Sequence, residues 1–234
     1  MAKVIIFSGA GISAESGIST FRDSDGLWEN YDVTVVCYYD SLEKNESLTL
    51  DFYDQRRSDI SQKEPNLAHL EVAKVKQKYP NEIAVITQNV DDMFEKAGLD
   101  ANEVIHLHGF LPELSCRECD GIYNIGYGSI YDFHDGYCPK CGAKTRPNIV
   151  FFGEHAPLYQ RLDEEIQDCE LFVVIGTSGN VVGVNTIANF VDNTILNNLE
   201  PSDAIMDHLF DKVLYDKASN AIDEIIEDIE NFLS

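Results

Sequence analysis

Four of the six cysteines occur in two pairs, each with two residues between its members: Cys116 with Cys119, and Cys138 with Cys141. Thiolates at this spacing are typical ligands of a tetrahedral zinc ion, because each pair supplies two of them from one tight turn. Four protein ligands leave no position for water, so we predict one structural Zn²⁺. Disulfides or free buried thiols are the alternatives. The short apolar stretch at the amino terminus does not predict an export signal, which disfavours disulfides.

A second candidate site follows the first apolar stretch. Gly9, Gly11 and Ala14 have the spacing G-x-G-x-x-G/A, in which glycines allow the backbone to approach a pyrophosphate at the amino end of a helix. Dinucleotide-binding dehydrogenases also carry an acidic residue at the end of a second strand, about 20 residues further on. A polar and then helical stretch after Gly26 stands there instead. The ordinary dehydrogenase interpretation is therefore disfavoured.

The elements that must position these motifs alternate between strands and helices. Continuous apolar runs predict buried parallel strands, and amphipathic patterns predict helices. The expected extended segments are 3–7, 82–87, 103–107, 147–152, 171–175 and 194–199, and the expected helices are 41–60, 65–79 and a closing helix over 222–232. The run at 171–175 ends in a loop of small residues at 176–179, where α/β folds bind ligands.

The predicted fold class is α/β, with a Rossmann-like parallel sheet domain and a small domain made of a zinc ribbon and a helical insertion. The zinc-ribbon module should occupy residues 114–143 and the helical insertion residues 25–71. The remaining ranges, 1–24, 72–113 and 144–234, should form the sheet domain.

The charge balance restricts the partners. The chain has 17 basic and 41 acidic residues among its 234, a formal net charge of −24. Its field would repel nucleic acid, so we expect no nucleic-acid partner, although the acidity can also serve solubility alone. No apolar run approaches the length of about 18 residues that a membrane span needs. We expect a cytoplasmic protein without a membrane partner.

Several motifs in a fixed order resemble those of the sirtuins, NAD-dependent protein deacylases, along nearly the whole chain. The motifs are GAGIS at 9–13, GISTFR at 17–22, TQNVD at 87–91, HLHG at 106–109, the two cysteine pairs, FGE at 152–154 and GTS at 176–178. The resemblance implies a cleft between the two domains that holds NAD, as a co-substrate, and an acyl-lysine peptide.

The resemblance also implies the site residues. His108 matches the catalytic base, for which imidazole is suited by its pKa near working pH, and Asn89 matches a second catalytic position. The cofactor-binding positions it implies are Gly9, Ala10, Gly11, Ile18, Phe21, Arg22, Gln88, Asn89, Asp91, Gly176, Thr177, Ser178 and Asn198. His106 is expected to pack or bond locally.

The implied substrate positions form two groups. Phe152, Gly153 and Glu154, with Gly179, Asn180 and Val181, resemble two edges between which a peptide adds as a strand. Tyr53 and Arg56 resemble the pair that binds the carboxylate of succinyl- or malonyl-lysine in one branch of the family, with Ala14 leaving room for the longer chain. Residues i and i+3 share a helix face, but the helix pattern alone also fits a packed Tyr53 and a solvated Arg56 and Arg57.

The implied activity is removal of succinyl or malonyl groups, and also acetyl groups, from protein lysines, giving nicotinamide and O-acyl-ADP-ribose. Plain deacetylation, mono-ADP-ribosyl transfer, or a non-catalytic module that binds acyl-lysine or ADP-ribose are the alternatives. The presence of His108, Asn89 and Asp91 together disfavours a binding-only module. We expect a monomer.

The segment 92–94 departs from the usual family pattern, which has histidine at the position of Phe94, so the support of the cofactor pocket should differ.

Overall fold

The computed structural model describes residues 2–19 and 31–234. Nine strands are found in the described part of the chain: β1 (Val4–Ser8), β2 (Ile83–Thr87), β3 (Val104–His106), β4 (Gly109–Cys116), β5 (Ile122–Asn124), β6 (Thr145–Ile149), β7 (Leu171–Ile175), β8 (Asn193–Asn198) and β9 (Lys212–Tyr215). They form a parallel six-stranded sheet of order β3-β2-β1-β7-β8-β9 and an antiparallel sheet of order β5-β4-β6.

The strand order of the large sheet determines where a ligand can bind. From β1 the chain builds outward through β2 and β3 on one side, and from β7 through β8 and β9 on the other. The loops that leave β1 and β7 therefore lie where the strand order reverses, at the carboxyl ends of these neighbouring strands, which is where α/β folds bind ligands. The predicted glycine loops at 9–11 and 176–178 follow these two strands directly.

Helices cover the sheet. The described helices are α1 (Gly11–Ala14), α2 (Val33–Val36), α3 (Ser41–Lys44), α4 (Glu46–Ser61), α5 (Leu67–Lys78), α6 (Met93–Lys96), α7 (Tyr159–Ile166), α8 (Val184–Ala188) and α9 (Ala218–Leu233). Val4 and Ile6 of β1 pack in one apolar cluster with residues of α5 and α9, whereas Ile5 and Phe7 pack in another with residues of α7 and α8. Successive side chains of a strand point to opposite faces, so β1 is buried on both sides.

A third apolar cluster lies under the small sheet. Phe52, Tyr53 and Ile60 of α4 pack there with Leu111 and Leu114 of β4. The helical segment and the cysteine-bearing strands therefore share one core, although they are distant in the sequence. These observations confirm the predicted α/β class, with a parallel Rossmann-like sheet and a smaller unit that carries the cysteines.

Most predicted elements are present, with some differences. The helix expected over 41–60 is two helices that meet at Asn45, and the extended run expected over 147–152 gives a strand of the small sheet, β6. The elements β9, α7 and α8 were not predicted. The predicted domain limits at 71/72 and 113/114 fall within α5 and β4, and as residue ranges the domains stay a prediction. No helix in residues 2–19 and 31–234 has the length and apolar character to span a membrane.

Candidate active site

The glycine loops after β1 and β7 are in direct contact with each other. A Cβ atom on Gly9 would lie 2.8 Å from the carbonyl oxygen of Gly176, and one on Gly11 would lie 2.7 Å from the Cα atom of Gly176. Both distances are shorter than carbon and oxygen atoms tolerate, so only glycine fits at these positions. Gly176 has a φ of +66°, which favours glycine for a separate reason. The glycines therefore allow the two loops to meet at the carboxyl ends of β1 and β7.

The amide groups of the first loop are already bonded within the protein. The N–H of Gly9 donates to the Ile175 carbonyl and that of Gly11 to the Gly176 carbonyl. The N–H groups of Ile12 and Ser13 donate back into the turn. The prediction assigned this loop to a pyrophosphate at a helix end, but α1 has four residues. What the loop offers a ligand is close approach of the backbone.

Polar side chains that directly follow β2 contact these loops. The Asn89 amide donates to the Gly9 carbonyl at 3.2 Å and to the Ser13 hydroxyl at 3.0 Å. The Gln88 amide donates to the Thr177 hydroxyl at 2.8 Å. The ends of β1, β2 and β7 are thus tied together by side chains that the motifs singled out, with Ser13 as a further member.

Asp91 lies in the same cluster and is buried. Burial raises the pKa of its carboxyl group, while hydrogen bonds from the Met93 N–H and the Ser13 hydroxyl act in the opposite direction. The carboxyl group is therefore able to accept or donate a hydrogen bond to a ligand amide in a site with little water.

His108 lies in the turn between β3 and β4, at the same end of the sheet. Its Nδ1 is 3.0 Å from the Gln88 carbonyl oxygen, and its Nε2 is 2.9 Å from the Tyr159 hydroxyl. Burial lowers the pKa of His108, and the hydrogen bond to the Gln88 carbonyl partly offsets this. The ring is therefore neutral near pH 7, as a general base must be.

His106 is bonded locally, in agreement with the expectation. Its ring contacts the Asn89 carbonyl through Nδ1 and the Glu95 carboxylate through Nε2, each at 2.9 Å. Burial opposes a charge on this ring, but the hydrogen bond and the charge of Glu95 outweigh burial and raise the pKa of His106. His106 therefore holds the main chain of Asn89.

The remaining predicted cofactor residues occupy two regions. Asn198 is buried at the end of β8, where its carbonyl accepts from the Asp216 N–H, and Ser178 follows Thr177 in the loop after β7. Ile18 is buried in the third apolar cluster. Phe21 and Arg22 lie outside the described residues.

The four paired cysteines converge on one point. Their Sγ atoms all lie within 4.8 Å of one another, with 3.4 Å between Cys116 and Cys141 and 3.7 Å between Cys119 and Cys138. A tetrahedron with Zn–S bonds of about 2.3 Å places sulfur atoms about 3.8 Å apart, whereas a disulfide needs about 2.05 Å. The backbone N–H of Cys119 donates to the Cys116 sulfur. The donor set fits a structural zinc ion held by these four residues.

Helix α4 carries the candidate acyl-binding pair. The Tyr53 ring is buried between Phe52 and Phe151, and its hydroxyl donates to the Cys37 sulfur at 3.5 Å. The charge of Arg56 acts on both the Cys37 thiol and the Tyr53 phenol, lowering their pKa values against the larger effect of burial. The Arg56 guanidinium, the Tyr53 hydroxyl and the Cys37 thiol thus share one region. Ala14 is exposed at the end of α1.

Arg57, which the sequence pattern allowed on a solvated face, is wholly buried. Its Nε donates to the Leu111 carbonyl at 2.9 Å, and its Nη1 pairs with the Asp54 carboxylate and contacts the Gly128 carbonyl. The solvated position that the helix pattern allowed for Arg57 is therefore not found, because three acceptors from α4 and the cysteine-bearing unit bond this guanidinium.

The two predicted peptide edges differ in what they offer. The N–H of Phe152 donates to the Cys37 carbonyl and its carbonyl accepts from the Tyr39 N–H, so its backbone is already paired. Glu154 is held by a two-point ion pair with Arg146. Gly153 is exposed. On the other edge, Gly179 donates to Thr177, and Asn180 and Val181 are exposed.

Comparison with known proteins decides the family. The sequence model of the Sir2 family matches residues 9–183. The chain belongs to the Sir2 family. An "NAD-dependent protein deacylase" of Campylobacter jejuni strain RM1221 is 49% identical to this Sir2-family chain over 234 residues, covering 100% of the chain and 98% of the relative. A relative of the same name from Helicobacter hepaticus is 40% identical and covers 99% of both chains.

Solved structures of Sir2 proteins have the same fold. A Sir2 homolog–NAD complex superposes with a TM-score of 0.85 at 31% identity, covering 99% of this chain and 90% of that one. A Sir2 protein bound to an acetylated peptide superposes with a TM-score of 0.77 at 26% identity, covering 97% and 93%.

Two contacts of the site were missed by sequence reasoning. Tyr159 and Glu95 bond the two histidines of the HLHG motif from α7 and α6. Neither residue belongs to a motif. An aromatic or acidic residue near the start of a short helix carries no signal for such a contact, because only the fold brings these helices to the carboxyl end of β3.

Proposed function

We propose that this chain is an NAD-dependent protein lysine deacylase that prefers succinyl and malonyl groups. The observation that carries the proposal is the position of His108. Its neutral ring lies at the carboxyl end of the sheet, bonded to the main chain of Gln88, beside Asn89 and the two glycine loops. The names of the relatives and the NAD and acetyl-peptide complexes of Sir2 proteins support the same activity.

The site fits a dinucleotide. The loops after β1 and β7 meet at positions where only glycine fits, and the Asn89, Gln88 and Asp91 side chains supply polar groups beside them. When bound, NAD supplies an electrophilic ribose carbon from which nicotinamide departs, so that the acyl group of lysine can pass to the sugar. We propose that Asn89 orients the ribose and that Asp91 binds the carboxamide.

His108 provides the proton acceptor. The Gln88 carbonyl can only accept a hydrogen bond, so Nδ1 carries the ring proton and Nε2 is the basic nitrogen. A ribose hydroxyl that reaches Nε2 can transfer its proton there. The nearby Asn89 is held at its side-chain amide by Gly9 and Ser13 and at its carbonyl by His106. These contacts fix the orientation of the amide.

The acyl preference is supported by the region around Arg56. An arginine is suited to the distal carboxylate of a succinyl group, because its planar guanidinium forms two parallel hydrogen bonds. The Tyr53 hydroxyl lies in the same region, and among residues 2–19 and 31–234 its partner is the Cys37 sulfur, a weak acceptor. A carboxylate would compete well for that hydroxyl. Cys37 is a small residue in contact with Tyr53, and the room that Ala14 would leave for the longer chain stays a prediction.

The Tyr53–Cys37 contact also favours a second candidate, plain deacetylation, because a phenol that keeps this partner leaves an apolar acyl pocket. One peptide carrying acetyl-, malonyl- or succinyl-lysine separates the two. A charged hydrogen bond contributes about 1.5–3 kcal/mol, so Arg56→Met should lower kcat/KM for the succinyl peptide by about 10- to 150-fold and leave the acetyl peptide little changed. Equal losses on both peptides would refute the succinyl assignment.

The activity itself is tested by nicotinamide release. The protein mixed with NAD and an acyl-lysine peptide should release nicotinamide, and His108→Ala should abolish deacylation. A variant that keeps its initial velocity would exclude His108 as the base. We further propose that the protein acts as a monomer in the cytoplasm on acylated proteins, which gel filtration and fractionation test.

A further inference from the structure

The imidazole of His108 is bonded at both of its nitrogens. On one side Nδ1 contacts the Gln88 carbonyl, and on the other Nε2 contacts the Tyr159 hydroxyl at 2.9 Å. The main chain is fixed as well, because the His108 carbonyl accepts from the Val150 N–H at 2.8 Å. The side chain and the main chain of the candidate base thus each have defined partners.

The direction of these bonds follows from their chemistry. The Gln88 carbonyl is an acceptor only, so the ring nitrogen that faces it carries the proton. The other nitrogen, Nε2, then has a free electron pair, and the phenolic hydroxyl of Tyr159 donates to it. This arrangement corresponds to one neutral tautomer.

Tyr159 is held in place by the packing of α7. It is the first residue of α7, and Leu162, one turn further along, is buried in the core beneath the sheet. The tyrosine ring itself packs partly buried against that core, 5.9 Å from the imidazole between ring centroids. The hydroxyl is therefore presented by a packed helix of the sheet domain.

We propose that Tyr159 is a positioning residue for His108: in the cofactor-free protein its hydroxyl donates to Nε2 and holds the base as the neutral tautomer with the proton on Nδ1. The inference rests on the proposed role of His108 as the base. When a ribose hydroxyl reaches the ring, it replaces the phenol at Nε2 and meets a nitrogen that is already unprotonated and correctly directed.

The electrostatic surroundings are simple. Within the described part of the chain, the pKa of His108 is lowered by burial and raised by the Gln88 carbonyl, and no charged side chain on β2, β4 or α7 contributes. Tyr159 is the titratable group in contact with Nε2, and burial raises the pKa of its phenol, so it stays a donor at working pH. A donor stabilises the neutral ring more than the imidazolium.

The test removes the hydroxyl and keeps the ring. For Tyr159→Phe we expect the acidic limb of the kcat/KM–pH profile, which reports the free enzyme, to move upward by about 0.4 to 1 pH unit, as the loss of one hydrogen bond predicts. Well below that limb the activity should fall about 2.5- to 10-fold against the wild type. At high pH, kcat should stay within about threefold of the wild type.

Nitrogen-15 NMR of the cofactor-free protein gives a second measurement that does not depend on activity. The wild type should show His108 with its proton on Nδ1, and Tyr159→Phe should show the same upward shift of its titration. A wild-type ring protonated on Nε2 would overturn the proposal without any variant. If His108→Ala keeps its activity, the proposed function fails, whereas the NMR result still reports on the Tyr159 bond.

Two control variants complete the test. Tyr79 follows α5, at the opposite end of the sheet, and packs partly buried against the core, so Tyr79→Phe should leave both titrations unchanged. Tyr159→Leu removes the ring as well. If the Phe variant equals the wild type and only the Leu variant is impaired, ring packing explains the contact and the proposal is wrong. An equal shift in Tyr79→Phe would also overturn it.

Discussion

The same substitution should affect different properties at two neighbouring arginines of α4. Arg57 is fully buried and bonded to the Leu111 carbonyl, the Gly128 carbonyl and the Asp54 carboxylate. Arg56 is half-buried at the edge of the same helix face, with its guanidinium 5.9 Å from the Phe52 ring centroid. We expect Arg57→Met to reduce stability strongly and Arg56→Met to change substrate preference instead.

The size of the effect at Arg57 follows from the partners it leaves behind. Asp54 keeps hydrogen bonds from the Ser129 hydroxyl and the Ile130 N–H, so its charge stays partly compensated. The two carbonyl groups lose a charged donor, and each buried acceptor left without a partner costs about 1–3 kcal/mol. Methionine retains the apolar contacts of the side chain. Breaking a buried ion pair by removing one partner costs about 3–5 kcal/mol, and the two unpaired carbonyls are consistent with that range. We therefore expect Arg57→Met to lose about 3–5 kcal/mol of unfolding free energy.

Urea unfolding and thermal melting measure this loss directly. For a chain of this length, about 3–5 kcal/mol corresponds to a decrease in Tm of roughly 6–20 °C. Arg56→Met, measured at the same zinc concentration and without NAD, is the control and should lose less than about 1 kcal/mol. If Arg57→Met unfolded within about 1 kcal/mol of the wild type, the three buried contacts would not stabilise the fold as we argue.

Two further predictions concern the metal and the pH dependence. Elemental analysis should find one zinc per chain, and Cys138→Ser should lose the metal and melt at a lower temperature, whereas Cys169→Ser should keep both; metal-free protein of unchanged Tm would contradict the structural role. Burial lowers the pKa of His69 to about 3, and the unfolded chain binds its proton near pH 6.5. The His69 contribution to stability is therefore complete above pH 6.5 and decreases by about 1.4 kcal/mol per pH unit below it. His69→Gln should lower the slope of unfolding free energy between pH 6.5 and 5 by about 1 kcal/mol per pH unit, since the unfolded ring is only half protonated at pH 6.5, and an unchanged slope would show that His69 is accessible to protons in the folded state.

The sequence predicts two loops of the candidate site, 9–11 and 176–178, from short-range patterns, and the sirtuin resemblance supplies the segment 88–91. Apolar runs mark the strands, and the small polar residues that follow them must lie at their carboxyl ends. The order of the strands then brings 9–11, 88–91 and 176–178 together. The cysteine spacing predicted the convergence of four sulfur atoms for the same reason.

Long-range contacts could not be predicted in this way. Arg56 and Arg57 lie on either side of the direction of Tyr53 on a helix, at about 60° and 40°, so periodicity cannot say which one is buried. The choice depends on the Leu111 and Gly128 carbonyls, 54 and 71 residues further along the chain. The strand β9 escaped prediction because it is a short edge strand of mostly half-buried residues.

The segment 92–94 shows how a departure from a family pattern is accommodated. Phe94, which stands where the sirtuin pattern has histidine, packs edge-on against His69, with 5.1 Å between ring centroids. Glu95 instead bonds His106, which holds the Asn89 carbonyl. The polar support of the cofactor pocket thus comes from one turn of α6 and the end of β3. Asn89 is bonded to Gly9, Ser13 and His106 in a chain that carries Phe94 at this position, so the departure does not remove the contacts on which its proposed role depends.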